Sequence, residues 1–597
     1  MQLSILDWVI IGIFFIVSMG IGVWVSRTSG KSYAEYFLSG RNMPWWLLGV
    51  SMVATTFSAD TPNFVTDVVR KQGISGNWNW WAFLLTGMLT VFVYARLWRK
   101  SGISTDLEFY EMRYSGSMAS FLRGFRAVYL GVFFNVMIMG TVMMAAAKIG
   151  EVLLGLNPLQ TLVIASVVTV IYTGLGGLRG VILTDFFQFI LAMGGTIWAA
   201  VVLVNRPEVG GLEALFAHEA VAGKLNMLPD FTNPESLIAV LIIPLAVQWW
   251  SVWYPGAEPG GGGYVAQRML SAKTPDDALG ATLLFNIAHY ALRPWPWIII
   301  ALCSLVLFPD LASIKSAFPN ISDQYLNDDM AYPAALSYLP AGLLGLVIAS
   351  LVAAFMSTIS THLNWGASYV VNDVYKRFMA PNANEKELVL IGRLTTVALI
   401  LLAGGVAYGF YSNALQGFNV LLQIGAGTGL IFILRWFWWR INAYTELTGM
   451  VVSFLIAIYL ESYYEGDLAN HWRLVIGVGI TTAAWLIVTL LTPPTDEATL
   501  KSFFQTIRPA AGGWKPVLRA MEASGEWKPG DQHAPALSRQ ILAMFLGCLG
   551  VYSVLFATGY FLYGEQSLAL IATGIAVISA FGIYRLWPAI RLDGTAG

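Results

Sequence analysis

The sequence contains about fifteen apolar segments, each long enough to cross a lipid bilayer. A membrane-spanning helix needs about 20 consecutive apolar residues, because only a helix that long pairs its own backbone groups across the hydrocarbon layer. Only 12% of the residues are charged, whereas a soluble domain carries about 25%. We therefore predict an all-α polytopic protein of the plasma or inner membrane, with lipid as one partner. The predicted spans are residues 5–25, 44–68, 78–98, 124–150, 158–175, 180–204, 237–271, 279–308, 338–372, 388–411, 414–437, 443–463, 471–492, 540–563 and 566–587.

The distribution of Lys and Arg predicts the orientation of these spans. Basic residues concentrate on the cytoplasmic side of membrane proteins. With the N-terminus outside and the C-terminus inside, the cytoplasmic segments hold about 26 of the 34 basic residues, and the outer segments hold about six. A wrong number of spans would scramble this alternation, so we predict an N-out, C-in topology.

Charge and motif content argue against several classes of function. The net charge of −1 provides no basic field that would attract nucleic acid. The sequence has no GxxxxGK[ST] loop and no long soluble segment that could house an ATPase. Both cysteines, Cys303 and Cys548, lie in apolar segments, which predicts neither a disulfide framework nor a metal cluster. The polar residues at membrane depth lack a nucleophile–base pair, so we expect a protein that is not an enzyme.

Two predicted spans are interrupted by residues that break helices. The span at 237–271 is cut by Pro255 and the glycines at 260–263, and the span at 44–68 by a polar stretch that ends at Pro62. Backbone groups cannot be left unpaired in lipid, so such breaks lie inside protein or line a watery cavity, as they do in secondary transporters. For the 237–271 segment, the alternative is a surface loop followed by an amphipathic helix.

The interrupted spans lie five spans apart, which predicts two halves of five helices each. Because five is odd, the second half begins on the opposite side of the membrane, as an inverted repeat requires. In the cytoplasmic linker, Trp514 and Trp527 are predicted interfacial anchors. The predicted divisions are an N-terminal helix and loop at 1–43, the first repeat at 44–204, an outer loop at 205–236, the second repeat at 237–440, and C-terminal helices at 441–597 that include the linker at 493–539.

The ninth span carries a hydroxyl-rich stretch formed by Ser357, Thr358, Ser360 and Thr361. At helical spacing, positions 354, 357, 358 and 361 share one face. Hydroxyls, together with carbonyls exposed by a broken neighbouring helix, are hard oxygen ligands that suit a cation such as sodium. Close helix packing, or hydrogen bonds from the hydroxyls to their own helix, is the alternative explanation.

Four stretches of the chain carry more specific motifs. They are Pro44-Trp-Trp through Ser58-Ala-Asp60, Tyr172-Thr-Gly-Leu-Gly-Gly-Leu-Arg through Thr184-Asp185-Phe-Phe-Gln188, Gln267-Arg268-Met-Leu-Ser-Ala-Lys273, and Ala354-Phe-Met-Ser357-Thr358 with Asn372-Asp373-Val-Tyr375. These stretches resemble the sodium:solute symporter family, whose members carry sugars, proline, pantothenate or sialic acid. With the helix count, the resemblance covers roughly residues 5–440. It implies a five-plus-five inverted-repeat core of the leucine-transporter type, with extra flanking helices.

The resemblance also implies where sodium binds. In this family, two carbonyls at the break of the first core helix combine with one carbonyl and two hydroxyls of the eighth core helix. The matching positions are Ala54, Phe57, Ala354, Ser357 and Thr358.

Some members of the family add a second sodium site, built on an aspartate and hydroxyls one turn further along. Asp185, Ser360 and Thr361 fit that pattern here. The alternative for Asp185 is a solvated carboxylate on the exit route of the ion.

Ionisable residues within the spans are candidates for solute binding, because burying them is costly. His289 and Arg293 are spaced i, i+4 and can face one cavity, and sugar-carrying members of the family use a basic side chain near His289. The alternative for Arg293 is a structural ion pair with Asp60 or Glu258. The predicted solute contacts are Asp60, Trp80, Trp253, Glu258, His289, Arg293 and Gln423.

These observations predict a secondary active transporter in which Na⁺ drives the uptake of a small polar solute by alternating access. A sugar or sugar derivative is the favoured solute, and an amino acid or a nucleoside is the alternative. A proton-coupled or sodium-independent carrier, or a solute sensor on the same fold, is the alternative function. We expect a monomer or a weak oligomer.

Overall fold

The computed structural model describes residues 3–29, 31–254, 257–323, 326–409, 414–528 and 537–590. Within these ranges the chain is helical and forms no β-strand, apart from two isolated backbone bridges. The predicted all-α class is therefore confirmed. Pro255 of the predicted break, and part of the predicted linker, lie outside the described residues.

Twelve helical segments in the described ranges are long and apolar enough to cross a membrane. The other three predicted spans, 44–68, 158–175 and 414–437, are also helical but divided or shorter. The protein is thus a multi-pass membrane protein, while the count of fifteen spans and the N-out, C-in orientation stay predictions. The twelve segments are Ile5–Ser26, Ile74–Ser101, Gly116–Leu154, Gly176–Val204, Pro234–Ser251, Pro275–Leu307, Leu343–Met379, Glu385–Gly409, Ala443–Glu461, Asn470–Leu491, Leu537–Tyr563 and Gln566–Ile590. Shorter helices include Tyr33–Leu38, Trp45–Thr56, Asp60–Gln72, Glu108–Arg113, Leu212–Ala217, Gly263–Ser271, Leu311–Ala317, Ala331–Leu336, Ala414–Gly425, Gly429–Phe437, Glu497–Ile507 and Lys515–Ala523.

A kink at Gly177 divides the longest helix, Pro158–Val204. Gly177 has φ 54° and ψ −163°, a backbone conformation essentially restricted to glycine. A Cβ atom at this position would lie 2.8 Å from the carbonyl oxygen of Tyr36. The kink falls between the two spans predicted at 158–175 and 180–204.

The span predicted at 44–68 consists of two helices, Trp45–Thr56 and Asp60–Gln72. Phe57 leaves helical geometry, with φ −86° and ψ 68°, and its N–H donates a hydrogen bond to the carbonyl of Ala54 at 3.0 Å. Residues 57–59 form what we call the first break. A helix that ends here leaves its last carbonyl groups without partners in the same helix.

The second break, residues 252–262, separates the helical segment that ends at Ser251 from Gly263–Ser271. Its described glycine-rich part is buried, and protein groups pair its backbone. The indole N–H of Trp98 donates to the carbonyl of Gly260 at 2.7 Å, and where the helix resumes the N–H of Gly263 donates to Asp106 Oδ2 at 3.0 Å. The described part of the break therefore lies inside the protein, as the sequence predicts, and is not a surface loop.

The hydroxyl-rich helix, Leu343–Tyr369, lies at the centre of the molecule and is buried along nearly its whole length. It packs against Pro158–Val204, Trp45–Thr56 and Asn135–Ile149. This arrangement brings Ser357 and its neighbours next to the first break.

In the linker, Trp514 and Trp527 are buried within the protein. The indole N–H of Trp514 donates to the carbonyl of Trp436 at 3.0 Å, which ties the linker to the end of Gly429–Phe437. The prediction that these two side chains are exposed interfacial anchors is therefore wrong.

Candidate functional site

Thr358 joins the hydroxyl-rich helix to the first break. Its Oγ1 lies 2.7 Å from the carbonyl oxygen of Thr55 and 3.1 Å from that of Ala354, so the single hydroxyl proton is shared between the two helices. Both helices thus present backbone and side-chain oxygens to the same small region. Neutral oxygens of this kind are the ligands that a hard cation prefers.

Ser357 points from the same helix to a buried carboxylate. Its Oγ donates to Asp185 Oδ1 at 2.6 Å, and Ser51 Oγ donates to Asp185 Oδ2 at 2.5 Å. Asp185 therefore connects Pro158–Val204 to the helix that precedes the first break. Ser360, in contrast, donates to the carbonyl of Ser357 at 3.1 Å, along its own helix.

The guanidinium of Arg268 lies between Asp185 and Thr361. Its Nη2 is 2.7 Å from Thr361 Oγ1 and 3.8 Å from Asp185 Oδ2, and both charged side chains are fully buried. Thr361 Oγ1 also lies 3.0 Å from Thr55 Oγ1. A buried carboxylate requires a partner of opposite charge, and in this structure Arg268 is a partner of Asp185. Of the three residues predicted for a second sodium site, Asp185 and Thr361 are therefore bridged by the guanidinium of Arg268.

A cavity of about 130 Å³ adjoins the first break, and Thr55, Ser58 and Thr358 are among the residues that line it. Four of the predicted solute contacts line it together, and they come from three different segments. Its other walls combine hydroxyl-bearing, aromatic and aliphatic side chains, so it offers both hydrogen-bonding groups and flat apolar faces. The four residues are Asp60, Trp80, His289 and Arg293.

His289 and Arg293 form one hydrogen-bonded unit with the last residue of the helix before the break, Thr56. The Nη2 of Arg293 lies 2.8 Å from His289 Nε2. Because a guanidinium has only donors, Nε2 must accept this bond. His289 Nδ1 is 2.9 Å from Thr56 Oγ1, and Arg293 also donates to the carbonyl of Thr56. A widened helical turn, Ala288–Leu292, places the two side chains side by side.

The remaining two cavity residues are held by local contacts. The Ser58 hydroxyl donates to the carboxylate of Asp60, next to the break. Trp80 packs against His289, with ring centroids 5.6 Å apart, and the guanidinium carbon of Arg293 lies 5.8 Å from the centre of its indole. Among the described residues, Arg293 makes no ion pair with Asp60 or Glu258, so its hydrogen bonds to Thr56 and His289 hold it instead.

Aromatic rings close the cavity on one side. The ring of Phe418 packs 5.0 Å from that of Phe64 and 5.1 Å from that of Tyr254. Tyr254 in turn stacks on Phe83, with centroids 5.7 Å apart. All four side chains line the cavity, so a solute that enters or leaves through this wall must displace Phe418.

The family model of the sodium:solute symporter family matches residues 36–453 of the chain. The chain belongs to the sodium:solute symporter family. The matched range includes both breaks, Asp185 and the hydroxyl-rich helix, so the whole candidate site of this symporter lies within it. The family consists of transporters, not enzymes.

Individual relatives agree with this assignment, and one solved structure shares the fold. The sodium/glucose cotransporter of Vibrio parahaemolyticus is 28% identical over 484 residues, which cover 77% of this symporter and 86% of that protein. The sodium/mannose cotransporter of Bos taurus is 26% identical over 510 residues, which cover 79% and 81%. A solved Na⁺-coupled sialic acid symporter shares the fold, with a TM-score of 0.64 at 21% identity over 83% of this chain and 99% of that one. The inverted-repeat core of the leucine-transporter type is thereby confirmed.

Three predicted solute contacts of the symporter lie outside the central cavity. The ring of Trp253 packs 4.9 Å from that of Phe134, and the backbone N–H of Trp253 donates to the carbonyl of Gly425 at 3.1 Å. Glu258 is buried in the second break, close to Gly262 and Gly263. Gln423 lines a second cavity beyond Phe418. Trp253 and Glu258 lie in the second break and Gln423 in the helix Ala414–Gly425, and the sequence alone does not say which cavity each side chain reaches.

Sequence reasoning missed three residues of the site: Ser51, Thr55 and Arg268. Ser51 and Thr55 share a helix face with i, i+4 spacing, and this was the available signal for the first two. Arg268 stands in the Gln267-Arg268 motif, but its contact with Asp185 joins segments that are far apart in the chain. Only the packing of the helices reveals that contact.

Proposed function

We propose that this symporter couples the inward movement of Na⁺ to the uptake of a sugar or sugar derivative. One observation carries the proposal: Thr55 and Thr56, the last two residues before the first break, connect the candidate sodium ligands to the cavity. The carbonyl of Thr55 accepts a hydrogen bond from Thr358, and the carbonyl of Thr56 accepts one from Arg293. Sodium that orders this helix end would therefore also order the cavity, which is how binding at one site raises affinity at another.

The proposed sodium ligands are those that the family resemblance implies. Their oxygens come from the hydroxyl-rich helix and from the end of Trp45–Thr56 with the adjoining Phe57, two segments that the Thr358–Thr55 hydrogen bond holds together. This supports an ion that bridges the first break and the hydroxyl-rich helix. The ligands are the carbonyls of Ala54, Phe57 and Ala354 and the hydroxyls of Ser357 and Thr358.

The proposed solute contacts are Asp60, Trp80, His289 and Arg293. A sugar presents hydroxyls around its rim and an apolar ring face, so it needs hydrogen-bonding groups beside an aromatic surface. The cavity supplies both. Relatives named as glucose and mannose cotransporters support the same class of solute.

A second sodium at Asp185, Ser360 and Thr361 stays a prediction. Arg268 contacts both Asp185 and Thr361, so an ion between them would require the guanidinium to withdraw. The ratio of sodium flux to solute flux tests this site. A ratio of two supports a second ion, and a ratio of one contradicts it.

Uptake into liposomes that contain the purified protein tests the proposed function. Radiolabelled D-glucose, D-mannose and myo-inositol are supplied with an inward gradient of Na⁺ or of K⁺. We expect sodium to stimulate uptake of at least one of them about tenfold, within the range of typical coupling between sites. The stimulation should disappear in Ser357→Ala/Thr358→Ala and persist in Ser350→Ala, a buried serine on the same helix whose hydroxyl donates to the carbonyl of Val347.

The other outcomes are equally informative. Equal uptake in both salts would overturn sodium coupling. Sodium-stimulated uptake of an amino acid or a nucleoside, without uptake of D-glucose, D-mannose or myo-inositol, would contradict the proposed class of solute.

A further inference from the structure

A second cavity of about 500 Å³ lies beyond Phe418, and it is nearly four times larger than the central one. Residues from five helical segments line it: the end of Asp60–Gln72, the start of Ile74–Ser101, the segment Pro234–Ser251, Ala414–Gly425 and the start of Asn470–Leu491. The ring of Phe418 lines both cavities. With the predicted topology, this second cavity faces the outside of the cell, and we call it the outer cavity.

Carboxamide side chains supply most of the polar groups in the lining of the outer cavity, beside an equal number of apolar residues. Seven of the lining residues are Asn or Gln, while only Glu235 and His471 carry an ionisable side chain. Each carboxamide offers both a donor and an acceptor and carries no charge. Such a lining matches a neutral ligand that is rich in hydroxyl groups, because a hydroxyl also donates and accepts. An ionic ligand would find few partners of opposite charge here.

Two of these carboxamides are held in place by their nitrogen atoms, so that the side-chain oxygen of each remains available. Gln248 and Gln423 are only 3% and 5% exposed. The Nε2 of Gln248 donates to the carbonyl of Asn79 at 2.6 Å, and the Nε2 of Gln423 donates to the carbonyl of Asn470 at 3.2 Å. In the part of the chain that the structure describes, neither side-chain oxygen accepts a hydrogen bond from the protein.

Acceptors without a protein partner are costly in a folded interior unless water or a ligand pairs them. Gln248 and Gln423 come from different helices, so their two oxygens belong to separate walls of the same cavity. The volume falls in the range of about 300–1,000 Å³ that is typical of small-molecule sites. The outer cavity thus has the size, the neutrality and the oriented polar groups of a binding site.

We propose that the outer cavity is a separate binding site for a neutral polyhydroxylated solute, which is held there before Phe418 moves to admit it to the central cavity. The solute class rests on the proposed function, but the site itself rests on the carboxamide lining. Because the outer cavity contacts neither the first break nor Thr358, binding there should not require sodium. This independence separates it from binding in the central cavity.

Protection of an introduced cysteine from labelling tests the proposal. Both native cysteines, Cys303 and Cys548, are buried, so Asn419→Cys in the outer cavity can be followed with a membrane-impermeant methanethiosulfonate reagent. The labelling rate is measured on the full-length protein in K⁺ and in Na⁺, with and without D-glucose, D-mannose or myo-inositol. Ser236→Cys, on another wall of the cavity, provides a second reporter in case Asn419→Cys fails to fold.

We expect at least one of the three compounds to slow labelling in K⁺ as well as in Na⁺. At a concentration of ten times Kd the rate should fall about tenfold, because only the unoccupied fraction reacts. Adding Gln423→Leu should abolish the protection in K⁺. Adding Gln566→Leu, at an exposed glutamine that lines neither cavity, should leave the protection unchanged.

Two results would overturn the proposal: no protection by any of the three compounds, or protection that appears only in Na⁺. The second result would mean that closure around a solute in the central cavity shields the cysteine. Failure of the proposed function has a different signature. In that case uptake would not depend on sodium, while protection in K⁺ and its loss in Gln423→Leu would still be observed.

Discussion

At the scale of single residues, the site depends on hydrogen bonds to one helix end. The carbonyl groups of Thr55 and Thr56 lie where the helix Trp45–Thr56 stops, and side chains from two other helices bond to them. A helix terminus exposes such carbonyls at no cost to the rest of the helix. The polar residues of the site therefore act through the backbone of this segment as much as through their own side chains.

Thr56→Val tests the hydroxyl that joins Thr56 to the cavity. The substitution keeps the size of the side chain but removes the oxygen within hydrogen-bonding distance of His289 and Arg293. A net contribution of about 0.5–1.5 kcal/mol per hydrogen bond predicts a rise of about 3- to 10-fold in KM for the transported solute. Uptake kinetics measure the change, and Thr56→Ser, which keeps the oxygen, should stay near the wild-type value. A KM unchanged in the valine variant would contradict a role of this hydroxyl in the cavity.

Arg268→Met tests the buried pair with Asp185. Loss of the guanidinium leaves Asp185 as a buried carboxylate without this cation, which typically costs about 3–5 kcal/mol. We expect a large fall in the melting temperature of the purified protein. The double variant Arg268→Met/Asp185→Asn removes both charges and should recover most of the loss. Equal instability of the single and double variants would show that Arg268 contributes mainly through packing.

At the scale of secondary-structure elements, helix breaks and kinks determine which groups reach the site. The first break exposes carbonyls, the second break is paired by Asp106 and Trp98, and the kink at Gly177 redirects the helix that carries Asp185. Each interruption is compensated by protein groups or by glycine. These compensations allow irregular backbone to exist within a membrane protein.

Gly177→Ala tests the kink. The positive φ of Gly177 and the approach of the Tyr36 carbonyl predict a loss of about 1–3 kcal/mol in stability. Gly180→Ala is the matched control, because Gly180 lies in the same helix and no heavy atom lies within 4 Å of the place that an alanine Cβ would occupy there. The control should be neutral or stabilise the helix by about 0.5–1 kcal/mol. Thermal unfolding of the two variants distinguishes them, and similar melting temperatures would argue against a conformational requirement at Gly177.

At the scale of the whole molecule, sodium and the solute are both proposed to bind next to the first break. If sodium and solute favour the same state, each must raise the affinity of the other by the same factor. We expect a factor of about 5–150, measured as the change in sodium affinity with saturating D-glucose and in D-glucose affinity with saturating sodium. Ligand-dependent melting temperatures give both values. No change in either direction would contradict coupling through Thr55 and Thr56.

The sequence allows the overall fold to be predicted because membrane helices have a strong signal. Length, apolar content and the Gly- and Pro-rich interruption at 252–262 identify the helices and one of the breaks without knowledge of their packing. Helical periodicity also places Ser357 and Thr358 on one face. It does not fix how far a helix is rotated against its neighbours.

The predictions that the structure changes concern the irregular second break or contacts between distant segments, neither of which helical periodicity describes. Trp253, Glu258 and Gln423 are inward-facing, as their positions suggest, but none of them reaches the central cavity. The contact of Arg268 with Asp185, and the burial of Trp514 in the linker, depend on segments that are distant in sequence. No pattern within a single segment contains that information.

The adjacency of Thr55 and Thr56 has a consequence for how such transporters diversify. Thr358, proposed to hold the driving ion, and Arg293, proposed to hold the cargo, bond to neighbouring peptide units but come from different helices, Leu343–Tyr369 and the segment Pro275–Leu307. Substitutions at His289 and Arg293 can therefore alter what is carried while the parts that harness the ion gradient stay intact. A transporter of this design can change its solute through substitutions in the segment Pro275–Leu307 while it keeps the proposed sodium ligands.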